Sequence, residues 1–325
     1  MISSNDFVVR PPSMDDLDAV VALLNACAQA DIGENHPSVL MLRRFWTDER
    51  FNLATDAWLV TTRDGRIAGY GEFGEETPSE PYSVSGNVHP DYRGRGIGTR
   101  LLQLAEQRAR KAMIAAPPDG RIRLQSDWIP AQNLGARQLL DHNGYREVRR
   151  WNRMQIDMGA PPPAPQPPDG ITIRTFRPGA DDLALYQAFE EAMADEWNHL
   201  PLSYERWRHF KIDQEPNFDP TLWFLAVEGD AIVGHALTRW ERSGLPHHAQ
   251  VRDLGVRRAW RRRGIGRALL HFVFGEFYRR GKRTVSLGVD ATSLTGADQL
   301  YRKAGMRVAL ETLIYEKELR PGQRA

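Results

Sequence analysis

Apolar positions along this chain change period in a fixed order, and the order is run through twice. Phe7 to Arg10 alternates as a short strand and stops at Pro11-Pro12. Ser13 is placed to cap a helix through Ala28, with Asp15, Asp16 and Asp18 favourable in its first turn. A second helical stretch follows near Ser38 to Asp48. Ala57 to Thr62 and Arg66 to Phe73 then alternate with period two around Arg63-Asp64-Gly65, a hairpin turn. After the strand Tyr82 to Val88, Ile97, Leu101, Leu102, Ala105 and Ala109 recur at helical spacing. Strand Ile122 to Ser126, helix Ala131 to His142 and closing strands from Tyr145 to Ile156 complete a βααβββαβαββ order.

The second half repeats it: strand Ile171 to Arg174, helices Ala180 to Asp195 and Ser203 to Lys211, and a hairpin of Trp223 to Val227 with Ala231 to Arg239. Strand His248 to Val256 leads into Ile265, Leu269, Leu270, Val273, Phe274 and Phe277 at helical spacing. Val285 to Val289, a helix from Leu294 to Lys303, and strands Arg307 to Leu310 and Thr312 to Glu318 finish the copy. Gly144 and Gly305 suit the left-handed position after their helices. Residues 159–170, six of them proline, can hold neither helix nor ladder and read as a semi-stiff spacer. The expected organisation is therefore a domain at 1–158, a linker at 159–170 and a domain at 171–325. A length of 325 residues gives each half enough chain for its own core.

Each copy places one stretch between its central strand and the helix that follows. Arg93-Gly94-Arg95-Gly96-Ile97-Gly98 follows Val88, and Arg261-Arg262-Arg263-Gly264-Ile265-Gly266 follows Val256, with valine, arginine and two glycines at equal spacing. Glycines at a helix start let main-chain N–H groups approach an anion, which the helix dipole favours; the expected ligand is a pyrophosphate. A P-loop would need Gly-Lys followed by Ser or Thr, and a dinucleotide fingerprint would need a third glycine where Thr99 stands. Arg-x-x-Gly-x-Gly after a strand ending in Val resembles the acetyl-CoA signature of the GCN5-related N-acetyltransferases. The resemblance covers nearly the whole chain and implies an α/β fold of two tandem domains of that family, each a mixed central sheet flanked by about four helices. It implies acetyl-CoA as cosubstrate, held by the main chain of Val256 and Arg261 to Gly266, and by Val88 and Arg93 to Gly98 in the first copy.

The resemblance also assigns roles. The family's Leu-Tyr-x-x-x-Gly-Phe pattern puts a tyrosine hydroxyl beside the thioester sulfur; Leu300-Tyr301-Arg302-Lys303-Ala304-Gly305-Met306 keeps the tyrosine, whereas Leu140 takes its place in the first copy. Tyr301 is accordingly the expected acid and the first copy the expected weaker or structural one. Asn133 with Ala136 matches the family's Asn-x-x-Ala, whose amide contacts the pantetheine arm; a plain helix cap is the alternative. Transfer to an amine requires a neutral nitrogen, roughly 0.04% of a group with pKa ~10.4 at neutral pH, a deficit of about 4.6 kcal/mol that a base helps to offset. Asp253 is the first expected base and Glu241 the second; Ser85 stands opposite Asp253 in the first copy, leaving Glu72 there. Asp195, Glu196 and Trp197, where the family walls its acceptor pocket, suit a cationic amine or simply end a helix.

Composition removes competing classes. The formal charge is +1, so no global field recruits nucleic acid or an anionic membrane, although Arg257, Arg258, Arg261, Arg262, Arg263 and Arg267 form a local basic patch. The single cysteine, Cys27, lies among apolar neighbours and reads as a buried small residue. No stretch approaches the eighteen or so apolar residues of a membrane span, nothing in the N-terminal pattern points to export, and His235, His247 and His248 lack standard metal spacing. The expectation is a cytoplasmic, metal-free enzyme, monomer or homodimer, moving acetyl to a primary amine of a small molecule. A non-catalytic acyl-CoA sensor, or transfer to a protein or peptide amine, is the alternative.

Overall fold

The computed structural model describes residues 6–34, 39–75, 81–114, 116, 117, 120–196, 199–215, 218–242, 245, 247–292 and 296–322. The first half carries β1 (Phe7–Arg10), α1 (Leu17–Ile32), α2 (Val39–Trp46), α3 (Leu53–Asp56), β2 (Ala57–Thr62), β3 (Ile67–Gly74), β4 (Tyr82–Val88), α4 (Ile97–Ala112), β5 (Ile122–Ser126), β6 (Ile129–Pro130), α5 (Leu134–His142) and β7 (Arg146–Asp157). The second carries β8 (Ile171–Thr175), α6 (Asp182–Met193), α7 (Tyr204–Arg208), β9 (Trp223–Glu228), β10 (Ala231–Arg239), β11 (His248–Val256), α8 (Ile265–Arg279), β12 (Thr284–Asp290), α9 (Ala297–Lys303) and β13 (Arg307–Arg320).

The chain folds as two compact units, but they are not divided at the proline-rich run. One comprises residues 1–150 with 310–325, the other residues 151–309. Unit 1 orders its strands β1-β2-β3-β4-β5-β13, and unit 2 orders them β8-β9-β10-β11-β12-β7. The residues of β7 from Trp151 onward pair antiparallel with β12, whereas Glu316 to Arg320 of β13 pair antiparallel with β5. Each unit thus takes its last strand from the other half of the sequence. This corrects the expected boundaries, and also the expectation of two closing strands at 307–310 and 312–318, which are one 14-residue strand. The proline-rich run belongs within unit 2, tied at its ends by the Met158 N–H to the Arg283 carbonyl at 2.7 Å and the Ile171 N–H to the Pro168 carbonyl at 3.0 Å.

Among the described residues each unit has one parallel pairing, β4 with β5 in unit 1 and β11 with β12 in unit 2. β4 and β5 pair in parallel only over Tyr82–Val84 and Leu124–Ser126, and β11 and β12 only over His248–Gln250 and Thr284–Ser286. β4 then runs on to Val88, and β11 to Val256, while the neighbour strand departs. The result is a wedge in each sheet with unladdered main chain on one flank, where an extended ligand can add like a strand.

Beneath each wedge lies the helix that follows the signature loop. Ile97, Leu101, Leu102, Ala105 and Ala109 of α4 are buried, as are Ile265, Leu269, Leu270, Val273, Phe274 and Phe277 of α8. Each large side chain of that stripe contributes roughly 2 kcal/mol on burial, so the loop at its N-terminus stands on a rigid support. α1 begins after a turn in which Ser13 and Asp16 cap reciprocally, and ends on Gly33 in the left-handed region.

Candidate active site

The signature loops open their helices without a side-chain cap. Gly96 and Gly264 stand at the N-cap with φ of 74° and 93°, and neither helix start receives a side-chain hydrogen bond. The ladder of α4 begins with the Arg100 N–H on the Gly96 carbonyl, and that of α8 with the Ala268 N–H on the Gly264 carbonyl. The N–H groups of Ile97, Gly98 and Thr99, and of Ile265, Gly266 and Arg267, are left for a ligand, and they are the donors an anion requires. The last glycine of each motif serves packing instead. A Cβ on Gly98 would sit 3.0 Å from Leu139 Cδ2, and one on Gly266 3.0 Å from Leu300 Cδ2.

Each loop is held by the arginine that begins it. In unit 1, Arg93 donates from Nε to the Val88 carbonyl at 3.3 Å and from both terminal nitrogens to Asp31 at 2.7 and 3.0 Å. In unit 2, Arg261 donates from Nε to the Val256 carbonyl at 3.0 Å, to Asp195 at 2.6 Å and to the Ala192 carbonyl at 3.1 Å. Arg258 takes the other Asp195 oxygen at 2.5 Å. The geometry shared by the two copies thus spends the arginine on protein partners and fastens the loop to the end of α1 or to the segment after α6. Asp195, expected to meet the acceptor, is committed to this clamp. Of the six clustered arginines, Arg257, Arg258, Arg261 and Arg263 all pair with carboxylates of unit 2, which disperses the basic patch.

Because Gly98 touches Leu139 and Gly266 touches Leu300, the next residues, Leu140 and Tyr301, occupy equivalent places. Leu140 is buried in an apolar cluster with Phe73, Leu102 and Tyr145. Tyr301 is equally buried. Burial, and then the nearby Glu196 carboxylate, push the phenol above its ordinary pKa, so it stays protonated at neutral pH. Glu196 is itself raised, by burial first and then by Asp290, with Arg261 and His199 opposing. A phenol and two carboxylates are thus gathered at the end of α6, the end of β12 and the middle of α9.

The central ladders carry a second carboxyl in each unit. Val88 faces Gly69 and Val256 faces Gly234 where the loops begin; three rungs back, Ser85 faces Glu72 in unit 1 and Asp253 faces Leu237 in unit 2. One rung holds an acid in both sheets, on opposite strands. Asp253 follows a bulge at Arg252 and accepts Lys211 Nζ on both oxygens at 2.8 and 2.9 Å. Lys211 sits on a π-helical turn after α7, with the Gln214 N–H donating to the His209 carbonyl. Under the pair, His235 is fully buried, neutral and tilted against Phe189 at 5.4 Å. In unit 1, Trp46 Nε1 donates to the Tyr70 hydroxyl at 2.9 Å, and Tyr70 donates to Glu72 Oε2 at 2.5 Å. Burial raises the Glu72 carboxyl to about 7, with Asp127 adding and Tyr70 opposing.

The family model for acetyltransferases (GNAT) matches residues 17–121 and again 183–306. The chain belongs to this family. A mycothiol acetyltransferase of Acidothermus cellulolyticus is 33% identical over 93% of this chain and 91% of its own length; one of Thermobispora bispora is 31% identical over 89% and 92%. A GCN5-related N-acetyltransferase of Sphaerobacter thermophilus superposes over 100% of this chain and 99% of its own, with 40% identity and a TM-score of 0.82. A tandem GNAT protein from the clavulanic acid biosynthesis pathway shares the fold at TM-score 0.70 and 19% identity over 97% of this chain. The chain is an acetyl-CoA-dependent acyltransferase of two tandem GNAT domains.

Within this GNAT frame the expected residues separate. The loops Val88 with Arg93 to Gly98, and Val256 with Arg261 to Gly266, stand at the mouths of the wedges, and Tyr301 is in register with the second. Asn133 acts as a cap: its Oδ1 accepts the Ala136 N–H at 3.0 Å and its amide donates to Asp31 at 2.9 Å, so its side chain is committed to the loop clamp. Glu241 is not brought to the site. It lies past the far end of the β10–β11 ladder from Val256, is half exposed, and has Lys282 Nζ at 3.7 Å. Trp197, Asn198, residues 35–37 and Leu294 lie outside the described residues. Cys27 is buried and donates to the Val88 carbonyl at 3.2 Å, a structural placement that also raises its thiol pKa by burial. The paired clamp aspartates escaped the sequence reading, although their signal was present: each copy has an Asp at the end of its first helix, 62 and 66 residues before or near the arginines they hold.

Proposed function

We propose that this acetyltransferase moves the acetyl group of acetyl-CoA to a primary amine of a small molecule, and that unit 2 performs the transfer. The observation that carries this reading is the register of Tyr301: a buried phenol, protonated at neutral pH, beside the wedge whose loop offers three main-chain donors. In the transfer, the amine nitrogen bonds to the thioester carbonyl carbon and the carbon–sulfur bond breaks. The sulfur takes the Tyr301 proton, so coenzyme A leaves as a thiol. The amine proton passes to a carboxylate and then to solvent, from which the Tyr301 phenolate regains its proton.

Glu196 is the better acceptor for that proton. It is half-buried with a raised pKa and within electrostatic reach of Tyr301, whereas Asp253 is already compensated by Lys211. Together with Asp290, Glu196 also gives an ammonium-bearing acceptor a reason to enter. The relatives named mycothiol acetyltransferase support an acceptor of small-molecule size. The test is product identification by mass spectrometry across amino sugars, aminoglycosides, amino acids and simple amines, with Glu196→Gln compared against Asp253→Asn. Loss concentrated in the Glu196 variant supports its role; loss concentrated in the Asp253 variant transfers the role to Asp253. Absence of any acetylated amine despite acetyl-CoA binding would favour the sensing alternative.

A further inference from the structure

Unit 1 lacks a phenol at Leu140 and has Ile32 where unit 2 has Glu196, yet it keeps the loop, the wedge and a carboxyl on the central ladder. Its loop leaves the N–H groups of Ile97, Gly98 and Thr99 for an anion, with Gly94 and Gly96 both in the left-handed region. Its wedge opens beyond Val84 and Ser126. Its carboxyl is not lost but transposed: Ser85 stands where unit 2 has Asp253, and Glu72 stands across the same rung where unit 2 has Leu237. Residues directly opposite in an antiparallel pair point to one face, so the two carboxyls address equivalent positions, three residues or about 10 Å along the strand from the loop.

The surroundings of Glu72 differ from those of Asp253 in a way that favours proton transfer. No cation holds Glu72 among the described residues; a neutral hydroxyl does. Trp46 donates to Tyr70 and Tyr70 donates to Glu72, so the carboxyl is fixed in direction while its charge remains uncompensated. The residue as a whole is only partly buried. The titratable groups that face it are Tyr70 on its own strand and Asp127 just past β5, both of which leave it unneutralised. A carboxyl raised to about 7 is half ionised near neutral pH, the condition under which a general base is most effective.

We propose that unit 1 is a second, independent acyl-transfer site in which Glu72 accepts the proton of a cationic amine acceptor, with Asp127 drawing that cation to the wedge. The inference rests on the family's use of acetyl-CoA and is separate from the role of Tyr301. The ammonium first gives up one proton through Glu72 to solvent; the neutral nitrogen then bonds to the thioester carbonyl carbon, the carbon–sulfur bond breaks with its electron pair on sulfur, and the second proton lost from nitrogen moves to Glu72. Coenzyme A leaves as the thiolate, whose conjugate thiol has a pKa of ~8.5 and which takes its proton from water. Without a general acid this site is the slower of the two.

The experiment uses the full chain with unit 2 disabled by Tyr301→Phe. Amine-dependent thiol release is measured from pH 5 to 9, and acetyl-CoA stoichiometry by titration calorimetry. The expected result is two acetyl-CoA per chain and a residual rate that rises with pH to a plateau around a midpoint near 7. Adding Glu72→Gln removes that residual rate by a factor of roughly 10² while leaving unit 2 turnover intact in the otherwise native chain, which also shows that the variant folds. Tyr70→Phe, which deletes the hydrogen bond but not the carboxyl, shifts the midpoint upward. One acetyl-CoA per chain, or a residual rate indifferent to Glu72→Gln and Tyr70→Phe, overturns the proposal and leaves the reading of unit 2 standing. Full activity in Tyr301→Phe that Glu72→Gln does not reduce would overturn both.

Discussion

Arg261 and Asp195 are joined at 2.6 Å, and through that bond the signature loop is fastened to the segment after α6 that carries Glu196. Arg93 and Asp31 repeat the arrangement in unit 1. The arginine of the signature is therefore a structural clamp. Asp195→Asn is expected to raise KM for acetyl-CoA roughly fivefold through loss of loop positioning, with kcat changed less than twofold. Asp31→Asn should leave the turnover of unit 2 untouched. Steady-state kinetics of the two variants decide it: equal effects, or none in either, would sink the clamp.

Gly266 is set by packing, and its consequence reaches Tyr301. A methyl there would lie 3.0 Å from Leu300 Cδ2, so α9 must shift by a few tenths of an ångström, at a cost of about 1–3 kcal/mol. Gly266→Ala is expected to lower kcat roughly tenfold by displacing the phenol. Gly98→Ala, which meets Leu139 at the same 3.0 Å, should cost similar stability with no loss of unit 2 turnover. Chemical denaturation and kcat measured on both variants separate the packing effect from the catalytic one.

Arg262 is the single non-glycine residue with positive φ among the described residues, at 64°, where unit 1 has Gly94 at 75°. A Cβ on Gly94 would meet nothing within 4 Å, so the difference between the two positions is conformational. Gly94→Ala is expected to destabilise by about 1 kcal/mol, and Arg262→Gly to be neutral or stabilising by up to about 1 kcal/mol, the strain relieved being partly offset by unfolded-chain entropy. Thermal unfolding of the pair tests the opposite signs.

Much of this arrangement was legible in the sequence. The duplicated loop, the glycines that end α5 and α9 with φ of 80° and 91°, and the register of Leu140 with Tyr301 all follow from local spacing. The division of the chain did not, because the partner of a strand is chosen by the sheet as a whole: Trp151 to Asp157 and Leu310 to Arg320 alternate as any closing strand would. The acid of unit 1, Glu72, was named from the sequence, but its place across from Ser85 was not, for a related reason. Ser85 was rightly set against Asp253, but that Glu72 shares its rung is a fact of cross-strand register, invisible along either strand alone. Asp195 misled because a carboxylate near an indole suits a cation equally well whether that cation is a substrate or a neighbouring arginine.

Glu72 also links stability to pH. Its ordinary value of 4.5 holds in the unfolded chain, and burial raises it to about 7 in the fold. Between those values the folded state binds more protons, so stability contributed by this group is full below pH 4.5, falls as pH rises and is lost above 7. The total is on the order of 3 kcal/mol. Glu72→Gln should flatten this part of the profile and be more stable than wild type above neutrality by an amount approaching that figure. Urea denaturation across pH checks it; parallel profiles for variant and wild type would contradict the raised value.

The most direct measurement is acetyl-CoA-dependent thiol release, in the presence of the best amine found, for wild type and Tyr301→Phe at neutral pH. The proposed role of Tyr301 as proton donor to the sulfur predicts a kcat lower by roughly 10²-fold with KM for the amine little changed. A Tyr301→Phe enzyme that turns over at the wild-type rate would contradict the assignment of transfer chemistry to unit 2.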